Sequence, residues 1–115
     1  MNSLIDQEPI EEIRGIERAT GRTDVFSGFV RKLEGMLDAF GPTFAECVAR
    51  GDGASAVRAA HTLKGTSRQL GAKALGDLFA EIEAAAKAAD YGGAKRKFDE
   101  GAALIAQSIE ALRHA

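Results

Sequence analysis

The sequence predicts an all-α protein: an antiparallel four-helix bundle with a short extra helix at its N-terminal end. Three observations carry that expectation. Apolar residues recur every three or four positions along nearly the whole chain, strand signals are absent, and the breaks between the apolar runs are short. At 115 residues the chain has the length of one domain able to bury its own core. Residues 1–115 are therefore expected to form a single domain, with 1–7 as a flexible N-terminus.

The first helix is predicted from Glu8 to Thr20. Pro9 suits a first helical turn, Ile10, Ile13 and Ile16 form a stripe, and Gly21 ends it. A cap at Thr23 or Asp24 opens the second helix, whose run Phe26, Phe29, Val30, Leu33, Met36, Leu37 and Phe40 is the strongest amphipathic pattern in the chain. Phe44 and Val48 continue the same stripe past Gly41 and Pro42, which predicts one long helix kinked at Pro42 rather than two. After the turn "RGDGAS" a third helix runs from about Ala54 to Leu70, closed by Gly71 in a left-handed conformation. Leu75, Leu78, Phe79, Ile82 and Ala86 share one face of a fourth helix. A fifth starts near Tyr91 or Gly92 and carries Ala94, Phe98, Ile105, Ile109 and Leu112. The six Phe residues are read as core, and Cys47 as a small buried apolar group.

Composition narrows the function classes. Apolar residues make up 45% and charged residues 28%, a globular profile. A net charge of −2 with both signs interspersed provides no global basic field of the kind that drives nucleic-acid or anionic-membrane binding. The single cysteine can neither close an internal disulfide nor complete a thiolate zinc site, and the start "MNSLIDQEPI" lacks the basic and apolar regions of a signal peptide. No apolar run approaches the ~20 residues needed to span a bilayer. A soluble, cytoplasmic monomer without nucleic-acid or membrane partners is expected.

The stretch "AAHTLKGTSRQLGA", residues 59–72, holds one of only two histidines. Projected at roughly 100° per residue, Ala56, Ala60, Leu63, Ser67 and Leu70 fall within a band of roughly 80°, the core-facing stripe. His61 lies roughly 140° from Ala56, on the other side of the helix with Arg58, Lys64, Gly65 and Arg68. Helical side chains lean toward the N-terminus, so Lys64 can reach back toward His61. Gly65 leaves the surface one turn along bare. A glycine inside a helix costs about 1 kcal/mol relative to alanine, and its placement here points to access for a partner. Arg58, Lys64 and Arg68, with no acidic residue between 54 and 70, make a small positive patch suited to a phosphoryl group. Ser67 is expected to be a packing residue with its hydroxyl bonded back to a carbonyl. His114 has no such context and reads as a frayed-terminus residue.

The segment "HTLKGTSRQLGA" resembles the signature of histidine-containing phosphotransfer (HPt) domains, modules of two-component phosphorelays. His61, Leu63, Lys64, Gly65, Ser67, Leu70 and Gly71 stand where that family's pattern would put them. The short leading helix and the "ARGD" turn before the histidine helix match as well, so the resemblance covers essentially the whole chain. Arg68 stands where a small residue is usual and Gln69 where Asn is frequent, departures that bear on partner docking. The resemblance implies that His61 accepts a phosphoryl group from a phosphoaspartate of a receiver domain and passes it to another receiver. It implies that Lys64 stabilises the phosphoryl charge, with Gly65, Arg68, Gln69 and Arg58 in support. The implied partners are receiver domains of hybrid histidine kinases and response regulators. No cofactor of its own is implied, and Mg2+ is expected on the receiver.

The chemistry is consistent with that implication. A neutral imidazole has a free nitrogen lone pair that can attack phosphorus and hold the group as a phosphoramidate. Such a transfer needs charge stabilisation and alignment more than acid or base work. The sequence has no GxxxxGK loop, no Gly-rich kinase loop and no clustered metal-binding carboxylates, which predicts a relay intermediate without ATP-dependent kinase activity. Two rival classes make distinct predictions. An HPt-like adaptor would bind a receiver or kinase without carrying phosphate. A hydrolase or transferase using His61 as general base would need a carboxylate to orient it and a pocket for substrate. No acidic residue lies three or four positions from His61, so any such carboxylate must come from elsewhere in the bundle.

Overall fold

A computed structural model of the protein describes residues 3–115. It contains α1 (Gln7–Thr20), α2 (Val25–Ala49), α3 (Gly53–Gln69), α4 (Lys73–Lys87), α5 (Tyr91–Glu100) and α6 (Ala102–Arg113), with no strand among the described residues. Helices α2, α3, α4 and the consecutive pair α5–α6 are the four legs of the expected bundle, with α1 packed beside α2. No described helix is long and apolar enough to cross a membrane.

Caps and turns set the boundaries. Asp6 caps α1 by accepting from the Glu8 N–H, and Gly21 ends it at φ 72°. The start of α2 is satisfied in a less local way. The Asp24 carboxylate pairs with Arg22, and the Phe26 N–H donates instead to Glu17 of α1 at 2.9 Å. Helix α2 then runs unbroken through Pro42, in agreement with the single long helix expected from its stripe. Asp52 caps α3, accepting from the Ser55 N–H at 3.1 Å and the Ser55 hydroxyl at 2.7 Å.

Gly71, at φ +84°, makes the α3–α4 turn, and a Cβ there would lie 2.5 Å from the Asp6 carbonyl oxygen and 2.9 Å from Ile10 Cγ1. Conformation and close approach both demand glycine. The chain before α1 is strapped to this turn: the Asp6 N–H donates to the Gly71 carbonyl at 2.7 Å, and the Ala74 N–H donates to the Leu4 carbonyl at 3.2 Å. Of the 1–7 segment expected to be flexible, residues 1 and 2 lie outside the described residues, Leu4 and Asp6 make these bonds, and Gln7 opens α1.

The single fifth helix expected from the apolar period is two. Gly101 separates α5 from α6, and a Cβ on it would come within 2.6 Å of Leu78 Cδ2 in α4. The last leg is interrupted where it passes α4 at close range, and an apolar period that continues through the interruption does not report it.

The core joins Ile10, Phe26, Leu33, Leu37, Phe40 and Phe44 to the α3 stripe and to the apolar face of α4, with Ile109 and Leu112 closing the far side. Phe40 is its centre, with ring centroids 5.4 Å from Phe44, 5.1 Å from Phe79 and 4.9 Å from Phe98. Cys47 is buried as expected. Two stripe residues are not: Ile16 and Phe29 are exposed. Ser67 is fully buried, but its hydroxyl makes no hydrogen bond to a protein group, contrary to the expected bond to a carbonyl.

Candidate functional site

Ala56, Ala60, Leu63, Ser67 and Leu70 are buried as the helical projection requires, which turns His61 onto the flank of α3. Its side chain is 64% exposed, and its Nδ1 lies 2.8 Å from Oε2 of Glu83 on α4. The other oxygen of that carboxylate, Oε1, is 2.6 Å from Lys64 Nζ. Lys87, one turn beyond Glu83, brings its Nζ to 3.5 Å from Oε2. One carboxylate, its side chain only 5% exposed, thus gathers a histidine and two lysines.

The hydrogen bond from Lys64, helped by that from His61 and by the charges of both lysines, holds the Glu83 carboxyl down to about 2, while burial acts in the opposite direction. An ionised carboxylate can only accept. The ring nitrogen facing it is therefore the one that carries hydrogen, so neutral His61 has its proton on Nδ1 and its lone pair on Nε2. Among the described residues no hydrogen bond engages Nε2. The arrangement presents an oriented nitrogen nucleophile to solvent, with fixed positive charge alongside.

The other expected site residues are distributed less evenly. Lys64 is at the site, but only 22% exposed and turned toward α4 rather than standing free in water. Gly65 is as open as expected: a Cβ built there meets nothing within 4 Å. Arg68 is not brought to His61. It lies over Gly76, where a Cβ would fall 2.6 Å from Arg68 Cγ, and its guanidinium is 3.3 Å from Asp77. Arg58 is exposed one turn before His61 and adds the least of the influences that lower the Asp52 carboxyl, after the two Ser55 hydrogen bonds and the charge of Arg50. Gln69 is exposed and borders a shallow concavity with Ile13, Phe29, Lys32, Thr66 and Leu70. The positive patch read along α3 is therefore partly neutralised across the helix pair, by Glu83 against Lys64 and by Asp77 against Arg68. His114 ends α6, with its Nε2 2.7 Å from Glu110.

Glu83 and Lys87 were not among the residues expected from the sequence. A signal was present: Glu83 falls among Phe79, Ile82 and Ala86 on the buried face of α4, where a lone carboxylate is costly unless it is paired. With Lys87 four residues on, it reads in one dimension as an ordinary surface pair. Only the packing of α4 on α3 identifies its second and third partners, His61 and Lys64. Among the described residues, no group of three or more His, Cys, Asp or Glu side chains is placed to share a metal ion.

A family model described as Hpt domain matches residues 11–115. No match was found among curated proteins or among solved structures. The chain belongs to the Hpt domain family, whose members are histidine phosphotransfer modules that work with receiver domains in two-component phosphorelays.

Proposed function

We propose that this protein is a phosphorelay intermediate in which His61 takes a phosphoryl group from a receiver phosphoaspartate and delivers it to a second receiver. The observation that carries this reading is the bridge from Glu83 to both His61 Nδ1 and Lys64 Nζ. The Nε2 lone pair forms the N–P bond while the P–O bond of the acyl phosphate breaks, its electron pair returning to the receiver carboxylate. Nδ1 keeps its proton, so the ring turns cationic as the bond forms, directly beside the Glu83 carboxylate. An interaction that strengthens as charge develops lowers the barrier rather than merely aiding binding. Onward transfer is the reverse of the same step.

Lys64, three residues after His61 on α3 and held by Glu83 of α4, supplies positive charge beside the incoming phosphoryl group. Gly65 leaves room for the receiver, Gln69 and Arg58 lie farther out on the docking face, and Arg68 supports the α3–α4 seam. Mg2+ belongs to the receiver in this scheme. The protein acts as a cytoplasmic monomer without ATP-dependent kinase activity of its own. A hydrolase reading gains an orienting carboxylate in Glu83. The concavity of about 500 Å³ between α2 and α5, however, is lined by Phe40, Phe44, Val48, Tyr91 and Phe98 and not by His61.

Radiolabelled phosphoryl transfer from a panel of phosphorylated receivers to the wild type and to His61→Gln tests the proposal. The expected result is an acid-labile, base-stable label on the wild type that falls to background in the variant. Folded wild type that binds a receiver yet takes no label would make the protein an HPt-like adaptor.

A further inference from the structure

Glu83 carries one negative charge, and two lysines converge on it. With His61 neutral, the cluster therefore has one positive charge more than it needs. The two lysines are not equivalent. Lys64 is 22% exposed and sits 2.6 Å from Oε1, an oxygen it does not share with His61. Lys87 is 63% exposed, stands off at 3.5 Å, and approaches the same Oε2 to which the His61 ring is bonded. Among the described residues Lys87 has no other ion-pair partner, whereas Arg68 on α3 is engaged by Asp77.

We propose that Lys87 is the movable counter-cation of the phosphorylated state, leaving Glu83 to contact the phosphoryl group once His61 Nε2 carries it. This rests on the reading of His61 as phosphoacceptor. A lysine ammonium on a flexible four-carbon stem, anchored within ion-pair distance of the oxygen that also holds the imidazole, needs only side-chain rotation to follow a group added to that ring. Two changes favour the exchange. The phosphoryl group brings about two negative charges, and phosphorylation also makes the imidazole cationic, so that His61 itself takes over the neutralisation of Glu83. Lys64 stays in place as the clamp on Oε1, and Lys87 becomes the charge that moves.

The test uses potassium phosphoramidate as a small phosphoryl donor, which removes receiver docking from the measurement. In that reaction the P–N bond to ammonia breaks, ammonia leaves with the electron pair, and the new N–P bond forms at His61 Nε2 while Nδ1 retains its proton. Lysine side-chain carbon–proton resonances are followed before and after phosphorylation, and the phosphorylation rate is measured for wild type, Lys87→Gln and Lys87→Arg. Phosphorylation should shift the Lys87 Cε–Hε resonances while leaving those of Lys95, paired with Asp99 on α5, in place. Lys87→Gln should react about fivefold more slowly and Lys87→Arg near the wild-type rate, with unchanged melting temperatures. Phosphohistidine formed with the Lys87 resonances unmoved, or a Lys87→Gln rate equal to wild type, overturns the proposal and leaves the phosphoacceptor intact. Failure of the receiver panel to label His61 removes the reading beneath it instead.

Discussion

Two buried glutamates, Glu17 in α1 and Glu83 in α4, look alike in burial and differ in what surrounds them. Glu17 is balanced. Its carboxylate accepts from the Phe26 N–H at 2.9 Å and from Arg14 at 2.9 Å, and these bonds, the backbone one first, lower its titration. Arg14 is committed in turn: its second nitrogen donates to the Ala115 carbonyl, and its guanidinium sits 4.7 Å over the Phe26 ring. Every charge in that cluster is matched within it, and its effect is to fasten α1 to the start of α2 and the end of the chain. Glu83 has one cation too many and a histidine that turns its remaining nitrogen to water. A buried carboxylate whose partners are matched one to one holds structure together. One whose partners outnumber it, on a side open to solvent, leaves positive charge unmatched within the protein.

The contrast is broken most directly by neutralising each glutamate in turn. Glu83→Gln should slow phosphoryl transfer about tenfold, the equivalent of about 1.4 kcal/mol in the barrier, because the cationic ring loses its partner and the imidazole its fixed tautomer. Glu17→Gln should leave the transfer rate of folded protein unchanged and lower the melting temperature, since the amide keeps one acceptor oxygen where the Phe26 N–H and Arg14 now use two, and removes the charge facing Arg14. Equal effects of the two variants on transfer, measured with the same phosphorylated receiver, would show that Glu83 is only a structural glutamate.

A smaller effect separates access from stability. Gly65→Ala introduces a methyl group into open space and improves helix propensity, so chemical denaturation should show a gain of up to about 1 kcal/mol. If the bare surface serves receiver approach, the same variant transfers phosphate severalfold more slowly. Faster or equal transfer in the more stable protein would remove docking as the reason for the glycine.

The subtlest difference lies in pH. Glu83 titrates at about 2, below its ordinary value of 4.5, so the stability its ion pairs contribute is complete above pH 4.5 and is lost as the pH falls toward 2. Denaturation midpoints of wild type and Glu83→Gln should keep a constant separation from pH 5 to 7 and converge below pH 4.5. A separation that persists unchanged to pH 2.5 would mean that the ionised carboxylate is not what the lysines stabilise.

Much of this was legible in one dimension, and the exceptions share a cause. The long α2 running through Pro42, the Gly71 stop and the α3 core stripe all follow from local spacing, and residues 54–70 already show His61 turned off that stripe. The break at Gly101, the exposure of Ile16 and Phe29, and the engagement of Arg68 by Asp77 depend on which helix lies opposite. Periodicity within one helix cannot contain that. The missing carboxylate is the sharpest case. Searching near His61 along the chain finds none, because its partner is 22 residues away on the antiparallel neighbour.

By itself, then, the sequence determined that this chain is a helical bundle presenting His61, with Lys64 and Gly65 beside it, because backbone periodicity and short-range side-chain geometry are properties of a single helix. The tertiary structure alone decided which nitrogen of His61 is free and how the charge around it is distributed. Those depend on Glu83 and Lys87 arriving from α4, and an ion pair between helices exists only once the helices have packed.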